Sequence, residues 1–333
     1  MNPSVAVIIP VGSPFDQVEK CLDHCVKSSY TNRTIAVVTD GKYDTSRWPE
    51  VVNVVVERGR RTGPAEKRDF AMQALPAHDV YAYLDADAYP AEDWLTNAMR
   101  ALEEHPEAAG VGGPGIMPPD QTNVEALSAA CTESPLGGGP LRFRFWPTRA
   151  QYCDDYPAYN LFLRREDLLA VGGWASDFYS GEDTLLCENI AKRGRLIYYD
   201  PTILIYHYRR AIIPGHWKQN FNVGRSRGTF VREGSERSKK VTFFAPLVGI
   251  LMVLAFIVTG ILVPGMRIPF AALSLCAYAL AVAFGHPGPL RLPVRLLLPL
   301  GLFLHHLAYA SGFSTGLIAK GRRRVGSRPA AQA

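Results

Sequence analysis

Val80-Tyr81-Ala82-Tyr83-Leu84-Asp85-Ala86-Asp87 is the stretch that decides the fold of this chain. Five apolar residues without alternation read as a strand covered on both faces, the pattern of a mostly parallel sheet. The strand ends in two carboxylates one residue apart, at the carboxyl edge where open α/β sheets bind ligands. Two carboxylates on one edge repel each other unless a cation stands between them. Hard divalent ions prefer oxygen ligands and also take phosphate oxygens, so Asp85 and Asp87 are expected to hold Mn²⁺ or Mg²⁺ with a diphosphate. A solvated acidic turn would carry the same triplet, so the choice rests on what surrounds it.

Outward from that strand, apolar runs alternate with helical spacing. Val5 to Ile9, Ile35 to Thr39 and Val51 to Val56 read as further strands. Val18, Cys21, Leu22, Cys25 and Val26 recur at helical spacing behind Asp16 as N-cap, and Ala65 to Leu75 is a helix stopped by Pro76. Such alternation predicts right-handed βαβ units. Later helices are expected at Ala91 to Glu104, Asn123 to Cys131 and Glu182 to Lys192. Gly110 to Gly115, Arg195 to Tyr199 and Ile203 to Tyr206 read as short strands, and Ser134 to Pro140, with Gly137-Gly138-Gly139, as a loose loop.

Several polar groups fall on the same edge. Asp40 closes the second strand, where a carboxylate can accept from a base N–H; Asp40-Gly41 is also an ordinary turn signal. Arg60, Arg61, Lys67 and Arg68 flank Thr62-Gly63-Pro64 at a helix start, an anion site where a guanidinium can meet phosphate bidentately; Arg68 is the strongest candidate. Gly181-Glu182-Asp183 opens a helix just after Gly172-Gly173-Trp174, Phe178 and Tyr179. Aromatics there would stack on a sugar while one carboxylate takes a hydroxyl proton, although acidic helix capping uses the same residues. His207, at a strand end, is expected as a third metal ligand or a diphosphate contact.

Composition divides the chain. From Val241 onward there is no Asp or Glu, and eight of the 36 Lys and Arg lie there. The first 240 residues keep 28 basic groups against all 31 acidic ones, so the net +5 belongs to the tail and is no nucleic-acid footprint. The expected division is a catalytic domain over 1–230 and a basic juxtamembrane and membrane part over 231–333. Apolar runs at about 241–263, 268–284 and 296–319 approach the ~20 residues that cross hydrocarbon. Arg237, Lys239 and Lys240 before the first run place the catalytic part in the cytoplasm, on a multi-pass protein of the inner (plasma) membrane. A third full span would export Arg322-Arg323-Arg324 against that bias, which leaves the last run re-entrant, interfacial or spanning. No N-terminal signal segment is visible, and six cysteines without metal spacing are expected to be reduced. Gln219, Arg225 and Arg227, in a basic stretch before the first run, are expected to meet lipid phosphate.

Val7-Ile8-Ile9-Pro10, Val37-Val38-Thr39-Asp40-Gly41, Leu84-Asp85-Ala86-Asp87 and Gly181-Glu182-Asp183-Thr184, in that order, resemble a family 2 glycosyltransferase of the GT-A fold over about Val5 to Arg227. Gln219 to Arg227 followed by tail helices ending in His306-Leu307-Ala308-Tyr309 is similar to the succinoglycan-type exopolysaccharide glucosyltransferases. The resemblance implies a Rossmann-like, mostly parallel sheet with flanking helices, C-terminal transmembrane helices, a sugar nucleotide donor that is most often UDP-linked, and inversion. It implies donor binding by Pro10, Asp40, Arg68, Asp85 and Asp87, with Asp87 the direct metal ligand. Asp183 would be the catalytic base with Glu182 beside it, and Trp174, Gln219, Arg225 and Arg227 would serve the acceptor. Thr39-Asp40 and Arg68-Asp69 depart from the family's acidic pair and Arg-Asn. The Gln-x-x-Arg-Trp signature of processive synthases is absent, which points to addition of one sugar.

The expected activity is therefore sugar transfer to a polyprenyl-linked saccharide at the cytoplasmic membrane face, in polysaccharide or glycolipid synthesis. A polyprenyl-phosphate sugar synthase of the dolichyl-phosphate-mannose-synthase type is the alternative within the class. A membrane protein that binds nucleotide sugars without turnover is the alternative outside it, and a nucleotidyltransferase would need a richer glycine and basic loop than Gly12-Ser13-Pro14.

Overall fold

The computed structural model describes residues 2–12, 18–58, 60–174 and 181–319. Strand β1 (Val5–Pro10) leads to α1 (Val18–Cys25), β2 (Arg33–Thr39), β3 (Val51–Val55), α2 (Pro64–Ala74), β4 (Val80–Leu84), β5 (Ala88–Pro90) and α3 (Trp94–Glu104). Then follow β6 (Ala108–Gly112), β7 (Gly115–Ile116), α4 (Asn123–Glu133), a short α5 (Pro135–Gly138), β8 (Gln151–Cys153), β9 (Asn160–Arg164), α6 (Arg165–Ala170), α7 (Glu182–Lys192), β10 (Leu196–Tyr199) and β11 (Ile205–His207). The chain continues through α8 (Trp217–Arg232), α9 (Ala245–Leu262), α10 (Arg267–Phe284) and α11 (Leu292–Ile318). Asp16, Phe178, Tyr179 and the Arg322–Arg324 cluster lie outside the described residues.

These elements form two compact units. The first takes the residues up to Ile116 together with Trp146–His207, and the second takes Met117–Phe145 together with the residues from Tyr208. The division therefore differs from a single boundary near residue 230. In the first unit an eight-stranded sheet runs β3-β2-β1-β4-β9-β6-β10-β8. It is mixed α/β and mostly parallel: β1 pairs in parallel with β2 and β4, placing Val7 beside Ile35 and Ala82. The continuous apolar runs of β1 and β4 are buried throughout or nearly so, as two covered faces require. β9 runs antiparallel between β4 and β6, and β8 runs antiparallel on β10.

A second, three-stranded sheet runs β5-β11-β7. Asn160 ties it to the first. Its side-chain nitrogen donates to the carbonyls of Gly113 and Ile203, and its oxygen accepts from Trp94 Nε1 at 2.7 Å. A Cβ on Gly113 would collide with the Ile203 carbonyl, so only glycine allows that approach.

The second unit is helical. Gly224 and Gly228 of α8 face Gly312 and Gly316 of α11, and a Cβ on any of the four would strike backbone of the opposite helix. Small residues four apart are what let two helix backbones touch. The buried face of α4, with Leu127, Ala130 and Cys131, packs on Val294, Leu298 and Leu302 of α11. Glu133 ends α4 and accepts from Met117 N at 3.1 Å and from His286 Nε2 at 3.1 Å. His286 Nδ1 lies 3.1 Å from Gly288 N and 3.2 Å from Gly288 O, which holds the ring in place. The expected loose loop at 134–140 is instead ordered. Ser134 Oγ accepts from Leu136 N at 3.0 Å, and Gly137 and Gly138 lie against the carbonyls of Cys131 and Thr132.

Among the described residues, three helices are long and apolar enough to cross a membrane: Ala245–Leu262, Pro264–Phe284 and Leu292–Ile318. They differ in surroundings. α9 buries only Ile250 and α10 buries none of its residues, whereas α11 is a single 27-residue helix through Pro299 with one face covered. At 1.5 Å per residue α11 is about 40 Å long, more than the ~30 Å of hydrocarbon. Long apolar outward faces on α9 and α10 fit a membrane-associated protein.

Candidate active site

β4 ends at Leu84, so Asp85 and Asp87 leave the sheet at its carboxyl edge, both half-buried. The chain then re-enters as β5, whose Ala88 pairs with His207 of β11. This register brings His207 beside Asp87, with Nε2 3.1 Å from Oδ1. One ligand atom from each of Asp85, Asp87 and His207 lies within 4.8 Å of the others. Two carboxylate oxygens and an imidazole nitrogen suit a divalent ion such as Mn²⁺ or Mg²⁺, so these residues fit the cation that the aspartate pair calls for.

Asp40, at the end of β2, is held from α2. Lys67 Nζ donates to Oδ2 at 2.7 Å, Thr62 N donates to Oδ1 at 3.0 Å, and the Thr62 hydroxyl donates to Oδ1 as well. Burial pushes this carboxyl up, but the hydrogen bonds from Lys67 and Thr62 outweigh it and hold it below the usual carboxylate range. Asp40 is thus a fixed anion. Thr39 donates to the carbonyl of Gly41 and shapes the turn. Pro10, half-buried, ends β1, the strand next to β2 in the sheet.

Arg68 lies on α2 with its side chain 3% exposed. Its guanidinium reaches Asp85 Oδ1 at 3.3 Å and Glu182 Oε1 at 3.4 Å. Beneath it, 4.4 Å away, lies the Trp174 ring, which in turn meets Tyr83 edge to face at 4.8 Å. Asp69 Oδ1 accepts from Trp174 N at 2.8 Å. Gly173 has φ +77° and a Cβ there would stand 2.6 Å from that carboxylate, so this turn requires glycine. Trp174 is 3% exposed. Its expected role as an acceptor platform gives way to that of a floor under Arg68.

Gly181, with φ +97°, opens α7 and puts Glu182 and Asp183 in its first turn, where the helix dipole favours carboxylates. The two differ sharply. Glu182 is buried against Arg68, and burial, then the neighbouring Asp183 charge, pushes its pKa up to about 7 while Arg68 opposes them. Asp183 is half-buried, with Oδ1 accepting from Thr184 N at 2.8 Å. Of the two, Asp183 is the more exposed.

The other expected acceptor residues lie on α8, which has no counterpart among the expected helices. Gln219 and Arg225 are exposed. Arg227 is buried, 4.0 Å over the Phe243 ring, with NH1 donating to Ser238 Oγ at 3.3 Å. That is a correction: Arg227 braces the helix, and a lipid phosphate would have to displace Phe243 to reach it. A run of positive charge is legible in sequence, but the ring that claims one member of it is not.

Residues 6–166 match the model of the family described as Glycosyl transferase family 2. The chain is 25% identical to the dolichyl N-acetyl-alpha-D-glucosaminyl phosphate 3-beta-D-2,3-diacetamido-2,3-dideoxy-beta-D-glucuronosyltransferase of Methanococcus voltae, over 94% of this chain and 97% of the relative. It is 24% identical to the pre-mycofactocin glycosyltransferase of Mycobacterium tuberculosis, over 62% of this chain and 43% of that protein. Among solved structures, the mannosyltransferase PcManGT of Pyrobaculum calidifontis, in complex with GDP-Man and Mn²⁺, superposes with a TM-score of 0.63. The match covers 96% of this chain and 89% of that one at 20% identity, a likeness of fold.

Proposed function

We propose, for a glycosyltransferase whose residues 6–166 match the Glycosyl transferase family 2 model, that it moves one sugar with inversion from a nucleotide sugar to a polyprenyl-linked saccharide. In this reading the enzyme works at the cytoplasmic face of the membrane. The observation that carries this reading is the Arg68 bridge. One guanidinium touches both Asp85 of the paired aspartates and Glu182, the neighbour of Asp183, so leaving-group and base residues share one edge.

The residues divide the work. Asp40 accepts from the nucleobase, with Pro10 bordering it. Asp85, Asp87 and His207 would hold a divalent cation, which supplies positive charge for the departing diphosphate. Asp183 takes the proton of the acceptor hydroxyl as that oxygen attacks the anomeric carbon in line, and the carbon–phosphate oxygen bond breaks on the opposite side. Gln219 and Arg225 of α8 remain the candidates for acceptor phosphate.

Three apolar helices support a lipid-borne acceptor, because they keep the chain where such an acceptor is confined. The Methanococcus relative, by its name, acts on a dolichyl-linked sugar phosphate, which favours a lipid-linked saccharide over bare polyprenyl phosphate. UDP is the first donor nucleotide to test and GDP the second, since the Pyrobaculum protein is bound to GDP-Man. The test is a donor screen with full-length protein in lipid, against polyprenyl phosphate and polyprenyl-linked saccharides, with Mn²⁺, Mg²⁺ or chelator. Metal-dependent transfer to the saccharide is expected. Transfer to bare phosphate alone would make the chain a polyprenyl-phosphate sugar synthase, and full activity in chelator would refute the cation assignment.

A further inference from the structure

Arg68 corresponds by family resemblance to a donor-binding residue, yet its surroundings describe a different task. Its side chain is almost completely buried, its guanidinium carbon stands 4.4 Å over an indole ring, and its two terminal nitrogens each reach a different carboxylate. A guanidinium has five N–H donors in a fixed fork. Here the fork is spread between the end of β4 and the first turn of α7. The support beneath it is built from sequence neighbours: Asp69 holds Trp174 through its backbone N–H, and Gly173 makes room for that contact.

We propose that Arg68 is a positioning residue: by joining Asp85 to Glu182 it fixes Asp183, one residue further along α7, relative to the Asp85–Asp87 edge, and so governs the rate of transfer without holding the donor. The inference deepens the functional reading above and rests on it. Its physical basis is the asymmetry between Arg and Lys. A lysine keeps the charge, but as a point charge on a flexible stem it can neither lie flat on Trp174 nor span two carboxylates. Glu182 is the other half of the bridge. Its side chain is only 10% exposed, less open to a substrate hydroxyl than that of Asp183, and it meets Arg68 from the first turn of α7.

The test compares Arg68→Lys, Glu182→Ala and the double variant with wild type, as full-length protein in lipid with saturating metal. Arg68→Lys is expected to lower kcat about 10²-fold through misplacement of the base. Donor KM, and the Kd of the nucleoside diphosphate by calorimetry, should stay within about threefold, because binding alone is untouched. Glu182→Ala should lower kcat similarly, and the double variant should be no worse than the poorer single one, since both break one bridge. Donor KM and diphosphate Kd rising about tenfold or more in Arg68→Lys would make Arg68 a donor contact and overturn the proposal. Multiplicative losses in the double variant would overturn it as well. Should Arg68→Lys not fold, Glu182→Ala carries the same kcat-against-KM comparison. Absence of transfer by wild type would refute the functional reading, whereas diphosphate binding is measured apart from turnover and still decides whether Arg68 holds the donor.

Discussion

The acidic edge of the sheet and the seam between α8 and α11 are built in opposite ways. At the edge, Asp40, Asp85, Asp87, Glu182 and Asp183 are gathered and kept apart by Lys67, Arg68 and His207. At the seam the contact is backbone on backbone, through Gly224, Gly228, Gly312 and Gly316. Charges at the first place are strained against one another and can be relieved by a ligand. The second has nothing to relieve. The difference teaches where substitutions act: chemistry should fail at the edge with the fold retained, and the fold should fail at the seam.

The largest effect expected is that of Asp183→Asn, which keeps shape and removes the base. Its kcat should fall about 10²–10⁴-fold with an unchanged melting temperature, measured in single-turnover transfer assays and by thermal unfolding. A loss of stability of the same variant would break the contrast. Asp87→Ala should follow, with activity about 10²-fold lower and a weaker Mn²⁺ response in a metal titration, as expected when a ligand or its partner is lost.

At the seam, Gly312→Leu drives a side chain into the Phe221 carbonyl. It should cost about 1–3 kcal/mol or more, seen as a lower melting temperature in detergent. Donor-diphosphate affinity of the protein that remains folded should be unaltered. The smallest effect concerns Glu182, whose pKa stands near 7, above the ordinary carboxylate value. A raised folded pKa contributes stability that is present below the unfolded value and is lost as pH rises through about 7, with a slope of at most about one proton. Glu182→Gln should flatten that fall between about pH 5 and 8 in chelator. An unchanged slope would show that the buried carboxyl is not the group responsible.

Much of the central sheet is readable because β1, β2 and β4 are continuous apolar runs that admit only a twice-covered strand. β5, β8 and β11 are three residues long and carry no period to detect. β9 is not among the strands expected from the sequence, and nothing in Asn160-Leu161-Phe162-Leu163 announces that it lies antiparallel between β4 and β6. The same limit applies at the site. Asp85 and Asp87 follow from one strand, while the reach of His207 to Asp87 depends on the β5–β11 register. Arg227 and Trp174 were misplaced for a related reason: their residue types suit phosphate and sugar, and only packing reveals that Phe243 and Arg68 already occupy them. The three glycines after Ser134 read as looseness because glycine serves both slack chain and close approach, and here the second use prevails.

The pairing of Ala88 with His207 has a kinetic meaning. Asp87 and His207 are 120 residues apart in the chain. Closing so long a loop is entropically opposed, so the three-residue cluster exists only once β5 and β11 have paired. During synthesis both aspartates emerge well before the imidazole. A cation that needs all three therefore binds the finished domain far better than any earlier form, and by mass action draws the last strand into place. For this protein, metal loading would double as a checkpoint on the completion of folding.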